Sequence, residues 1–93
     1  MKVLIVDDEK LIRDVIKEYC LGNKYEILEA DNGIDAIKKA AEADIIVMDI
    51  MMPKMDGFTA YKEIKKKYNI NSEYFLYFPH TFKKNIKCKA RGI

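Results

Sequence analysis

The feature that most limits the fold of this chain is a pair of short apolar runs, each closed by aspartate. KVLIV (2–6) is followed by Asp7 and Asp8, and DIIVM (44–48) is followed by Asp49. Runs of four to five β-branched and apolar residues, with almost no polar interruption, suit strands covered on both faces, as in a parallel sheet. YEILEA (25–30) alternates more and predicts an edge strand.

Helical spacing fills the gaps between these runs. Leu11, Ile12, Val15, Ile16 and Tyr19 predict a first helix that ends near Gly22-Asn23. Ile34, Ile37, Ala40 and Ala41 predict a second, after the turn signal Asp31-Asn32-Gly33. Phe58, Tyr61, Ile64 and Tyr68 predict a third, beginning just after Asp56-Gly57. The order β-α-β-α-β-α argues for a parallel sheet with right-handed crossovers. Residues 1–70 therefore read as one unit within a chain of 93 residues, which has room for one domain. Residues 71–93 break the pattern: one aromatic run, Tyr74 to Phe78, then Pro79, then lysines without an amphipathic period.

Charge divides at the same place. Residues 1–70 hold 12 Lys/Arg against 14 Asp/Glu, a balance of −2, whereas residues 71–93 hold 5 against one, a balance of +4. The basic segment reads as a solvated terminus in preference to a nucleic-acid contact. The apolar runs fall far short of the roughly 20 residues that span a bilayer, and no signal-peptide pattern opens the chain. A cytoplasmic protein without a membrane partner is expected. Cys20 and Cys88 have no metal-ligand spacing and read as ordinary thiols of a reducing compartment, and His80 as a surface residue.

In a parallel α/β sheet all strands end on one edge, where ligand sites form. Asp7 and Asp8 follow the first strand and Asp49 the third, so three carboxylates meet if those strands are neighbours. Like charges a few Å apart require protons or a cation. Oxygen-only ligands favour a hard ion such as Mg²⁺, and a carboxylate beside Mg²⁺ is a competent nucleophile towards phosphorus. Taken singly, Asp7 or Asp8 also suits a helix N-cap and Asp49 the opening of a turn.

VLIVDDEK followed by VMDIMMPKMDG, with EADNGIDAI between them, resembles the receiver domain of bacterial two-component response regulators. The resemblance covers residues 2 to about 70. It implies an α/β, flavodoxin-like, doubly wound parallel sheet, in the family five-stranded with order 2-1-3-4-5 and five helices. Here that fold is expected to be incomplete, with the 71–93 segment supplying at best a poor fourth strand. The family's functional positions carry over as follows. Asp49 is the expected phosphoryl acceptor, supplied by the phosphohistidine of a sensor kinase. The Asp8 and Asp49 side chains and the Met51 carbonyl are the expected Mg²⁺ ligands, with Asp7 acting through water. Pro53 and Gly57 are expected to shape the adjoining loop, and Met52 and Met55 to pack in the core. Such a module accepts a phosphoryl group and catalyses its own modification. It is not an enzyme with turnover on a free substrate.

Two family features find no match. The strand-four Thr or Ser would fall near Leu76, and Thr81 lies too far on, beyond Pro79. The strand-five Lys has no counterpart in Lys83 or Lys84, which precede Asn85 without a strand leading to the site. A reading-frame shift near codon 71, or a naturally short variant, accounts for the break. Either predicts slow phosphorylation and a marginal, aggregation-prone or dimerising chain with an exposed sheet edge. DNA contact would require an effector domain outside these residues. The alternative function is a phosphorylation-independent binding module or an inactive receiver fragment. An aspartate-dependent phosphohydrolase is disfavoured by Met51, where a second acid is wanted. A dinucleotide-binding unit is disfavoured by the acidic DDEK turn, which lacks glycine.

Overall fold

The computed structural model describes residues 1–22, 24–49, 57–68 and 75–77. Strands β1 (Lys2–Val6), β2 (Glu26–Ala30), β3 (Ile45–Met48) and β4 (Phe75–Tyr77) alternate with helices α1 (Lys10–Gly22), α2 (Gly33–Lys39) and α3 (Gly57–Tyr68). A single 3-10 turn, Ala40–Glu42, extends α2. The strands form one sheet in the order β2-β1-β3-β4, every pair parallel. The expected α/β doubly wound architecture is therefore present. The aromatic run contributes a fourth strand of three residues, in register with Ile46–Met48.

β1 is central, which explains its composition. Leu4 and Val6 turn to one face and pack with Ala36, Ala40, Ala60 and Ile64 of α2, the 3-10 turn and α3. Val3 and Ile5 turn to the other and pack with Ile12 and Ile16 of α1. With helices on both faces, neither side of this strand tolerates a polar residue. β2, at the edge, buries only Ala30 fully.

Local chemistry sets the element ends. Asn32 caps α2, its Oδ1 accepting from the Asp35 N–H at 2.8 Å. Lys24 takes a left-handed conformation (φ 61°) just after α1, and Tyr25 N–H donates to the Cys20 carbonyl at 3.2 Å. At the start of β3 the Asp44 N–H donates to the Lys2 carbonyl and its Oδ2 accepts from the Lys2 N–H, at 2.8 and 2.7 Å. The Tyr68 hydroxyl donates to the Ile37 carbonyl at 2.9 Å and fastens the end of α3 to α2.

Two apolar patterns differ from expectation. Of the α1 set, Ile12 and Ile16 are buried, but Leu11 is 41% and Tyr19 74% exposed. The five residues form two adjacent i,i+4 stripes, and only the 12/16 stripe faces the sheet. Ile34 of α2 is 52% exposed, and Ala41, in the 3-10 turn that extends this helix, is exposed. The small residues Ala36 and Ala40 bring this helix close to the sheet, leaving the larger side chain outside. Cys20 is half-buried, whereas Cys88, His80, Thr81, Lys83 and Lys84 lie outside the described residues. Among the described residues no helix is long and apolar enough to cross a membrane.

Candidate phosphoacceptor and metal site

The parallel ladder continues one residue past the strand ends. Val6 pairs with Met48, and the next N–H, that of Asp49, donates to the Val6 carbonyl at 3.1 Å. The Asp7 N–H donates to the Ala30 carbonyl of β2, also at 3.1 Å. Asp7 and Asp49 thus inherit the rigidity of the central sheet. Asp7 is fully buried and Asp49 is 5% exposed. Asp8 is exposed at the mouth. One carboxylate oxygen from each of Asp7, Asp8 and Asp49 lies within 4.8 Å of the others.

The Asp7 side chain has a second task. Its Oδ1 accepts from the Glu9 N–H at 2.8 Å, which turns the chain into α1. The helix-entry role considered for Asp7 and the acidic-cluster role therefore coexist in one residue. The donor set of the cluster is oxygen only, and its charge is negative. That combination fits a hard divalent cation, which tolerates several carboxylates and completes its shell with water. Gly57 is the first residue of α3. Met51, Pro53, Met52 and Met55 lie outside the described residues.

Several charged residues beside the cluster escaped the sequence reading. Arg13 Nη1 donates to the Asp7 carbonyl at 2.7 Å, and Arg13 Nε donates to Glu29 Oε1 at 3.2 Å. Lys17 Nζ reaches Glu29 Oε2 at 3.3 Å. Lys39 Nζ donates to the Glu29 carbonyl and pairs with Asp35. These residues line a groove of about 320 Å³ between α1 and α2. At its rim a hydrogen bond from Lys10 holds the Asp14 carboxyl below its ordinary pKa. Glu29 breaks the apolar alternation of β2, and that was the one available signal.

The chain matches the family described as the response regulator receiver domain over residues 3–75. It is 47% identical over 68 residues to the chemotaxis protein CheY of Bacillus subtilis, covering 70% of this chain and 57% of that protein. It is 44% identical over 68 residues to the transcriptional regulatory protein ResD of the same organism, covering 71% and 28%. The matched segment thus spans less than two thirds of the length of either relative. Among solved structures, the chemotaxis protein CheY4 of Vibrio cholerae superposes with a TM-score of 0.75 at 31% identity, covering 96% of this chain and 78% of that one. The response regulator TrrA of Thermotoga maritima, solved in complex with Mg²⁺-BeF, gives 0.70 at 29%, covering 98% and 96%. This chain belongs to the response regulator receiver family. Such domains are signalling modules of two-component systems rather than classical enzymes.

Proposed function

We propose that the chain is a phosphoacceptor module in which Asp49 takes a phosphoryl group from the phosphohistidine of a sensor histidine kinase. The observation that carries this reading is the approach of the Asp7, Asp8 and Asp49 carboxylates within 4.8 Å at the C-terminal edge of β1 and β3. Asp8 and Asp49 would hold Mg²⁺ by their side chains, the Met51 carbonyl would supply a third ligand, and Asp7 would act through water. When bound, Mg²⁺ offsets negative charge on the attacking carboxylate and on the incoming phosphoryl group. An Asp49 carboxylate oxygen forms the new bond to phosphorus. The P–N bond of the donor breaks, and its imidazole leaves with the electron pair. Asp49 suits the acceptor role because its backbone is fixed to Val6. Asp7 is committed to the Glu9 N–H. Of the matched proteins, TrrA was solved with Mg²⁺-BeF, and the receiver domain of the Pseudomonas aeruginosa histidine kinase PA1611 with magnesium in its active-site cleft.

The proposed module works slowly. β4 comes to the same sheet edge with Phe75-Leu76-Tyr77, which offers no small hydroxyl of the Thr or Ser kind. Its response to phosphorylation is correspondingly uncoupled. Among the described residues β4 is an outer strand, and its open side is where the expected dimer would form. Incubation with acetyl phosphate and Mg²⁺, followed by intact-mass measurement, tests the reading. A gain of one phosphoryl group is expected, slow in onset and lost in Asp49→Asn. A chain that never gains mass, with Mg²⁺ binding demonstrated, instead supports a phosphorylation-independent binding module.

A further inference from the structure

Arg13 lies in the first turn of α1, six residues after Asp7, on the side that faces β2. Its guanidinium makes two bonds of different kinds. Nη1 donates to the Asp7 carbonyl at 2.7 Å, and Nε donates to Glu29 Oε1 at 3.2 Å. The Arg13 side chain is 15% exposed, so both bonds are partly shielded from water. The second oxygen of Glu29 accepts from Lys17 Nζ at 3.3 Å, which fixes the carboxylate from the far side.

The Asp7 carbonyl belongs to the peptide unit that joins Asp7 to Asp8. Both side chains flanking that peptide are in the acidic cluster. On the other side of Asp7 its N–H is bonded to Ala30. The Asp7 backbone is thereby gripped at its N–H by β2 and at its carbonyl by α1. A planar, forked guanidinium suits this task, because it meets two acceptors at fixed angles. We propose that Arg13, held in place by Glu29, is a positioning residue: it sets the plane of the Asp7–Asp8 peptide and with it the presentation of both carboxylates towards Asp49.

The inference rests on the reading of the cluster as a Mg²⁺ site. Two effects of Arg13 on a metal ion oppose each other. Its positive charge repels the ion, whereas its grip on the peptide orders the ligands. The sign of the change on removing it separates them. Groups that orient metal ligands from outside typically contribute about 10–100-fold in affinity. Pairing with Glu29 offsets the Arg13 charge, so ordering outweighs repulsion.

The test is Mg²⁺ titration of the full chain, followed by calorimetry and by the amide resonance of Asp8, with circular dichroism to check folding. Arg13→Gln is expected to weaken Mg²⁺ about tenfold. Arg13→Lys, which keeps the charge but lacks the rigid planar fork, falls between Arg13→Gln and the unaltered chain. Glu29→Gln leaves the guanidinium in place but loosens its holder. It gives a smaller loss of the same sign, and it decides the matter if Arg13→Gln does not fold. Lys17→Ala stays within about twofold, since the pair it breaks is half-exposed and the Arg13–Glu29 bond remains. Tighter Mg²⁺ binding in Arg13→Gln overturns the proposal, as does unchanged affinity in folded Arg13→Gln or Glu29→Gln. A Lys17→Ala loss equal to that of Arg13→Gln does so too. Absence of Mg²⁺ binding by the unaltered chain removes the underlying metal-site reading instead, and this inference with it.

Discussion

The N–H of Asp49 is bonded to the carbonyl of Val6 at 3.1 Å, one step beyond the last register pair of β1 and β3. Through that bond the acidic cluster becomes an extension of the central sheet. Asp7 and Asp49 are held side by side by backbone bonds to Ala30 and Val6, with Asp8 exposed beside them, and this oxygen-only donor set suits a hard cation.

Mg²⁺ is therefore expected to stabilise the fold. At a concentration about 100 times the dissociation constant, binding to the native state contributes about 2.7 kcal/mol. For a domain of this size that raises the melting midpoint by roughly 10–20 °C. Melts with MgCl₂ and with EDTA, at matched ionic strength, measure it. Asp8→Asn should shrink the shift and raise the midpoint of the metal-free protein. Equal midpoints with and without Mg²⁺ would count against the site.

The two stripes of α1 should differ sharply under substitution. Ile12 is completely buried against Val3 and Ile5. Ile12→Ala is expected to cost about 2–5 kcal/mol, enough to unfold much of a small domain. Leu11→Ala is expected to change stability by no more than about 0.5 kcal/mol. Urea denaturation curves compare them, and similar losses would mean that the exposed stripe is covered in solution.

Asn32 governs entry into α2 through its bond to the Asp35 N–H. Asn32→Ala should destabilise by about 1 kcal/mol, and Asn32→Asp should retain the cap. Chemical denaturation reads both variants. A neutral Asn32→Ala would assign the helix start to packing of Ala36 and Ala40 alone.

Burial pushes the Cys20 thiol above its ordinary pKa of 9.0. The unfolded chain then loses this proton at lower pH than the folded chain. The corresponding stability is complete below the unfolded pKa and declines as pH rises through the folded one. In a Cys88→Ser background, stability should fall above about pH 9, and Cys20→Ala should flatten that slope. Denaturant midpoints across the alkaline range supply the check, and a slope that persists in Cys20→Ala would point to another group.

The strand ends were legible because apolar runs closed by Asp7 and Asp49 leave few arrangements for a parallel sheet. Once β1 and β3 are neighbours, the meeting of Asp7, Asp8 and Asp49 follows from topology alone. Arg13 was not legible, since its partners, Asp7 just past β1 and Glu29 on β2, come together through register rather than spacing. The exposure of Leu11 and Tyr19 was hidden for a related reason. Residues 11, 15 and 19 and residues 12 and 16 share one helical period, and sequence does not say which stripe meets the sheet. β4 was harder still: three residues without alternation leave pairing to the open edge of β3.

The central position of β1 has a consequence for biosynthesis. This strand is synthesised before both of its sheet neighbours, and one of them, β3, begins only at Ile45. At about 5–20 residues per second, some 2–8 s of translation separate the two. During that interval β1, buried on both faces in the finished fold, has one flank unpaired and open to non-native association until β3 emerges.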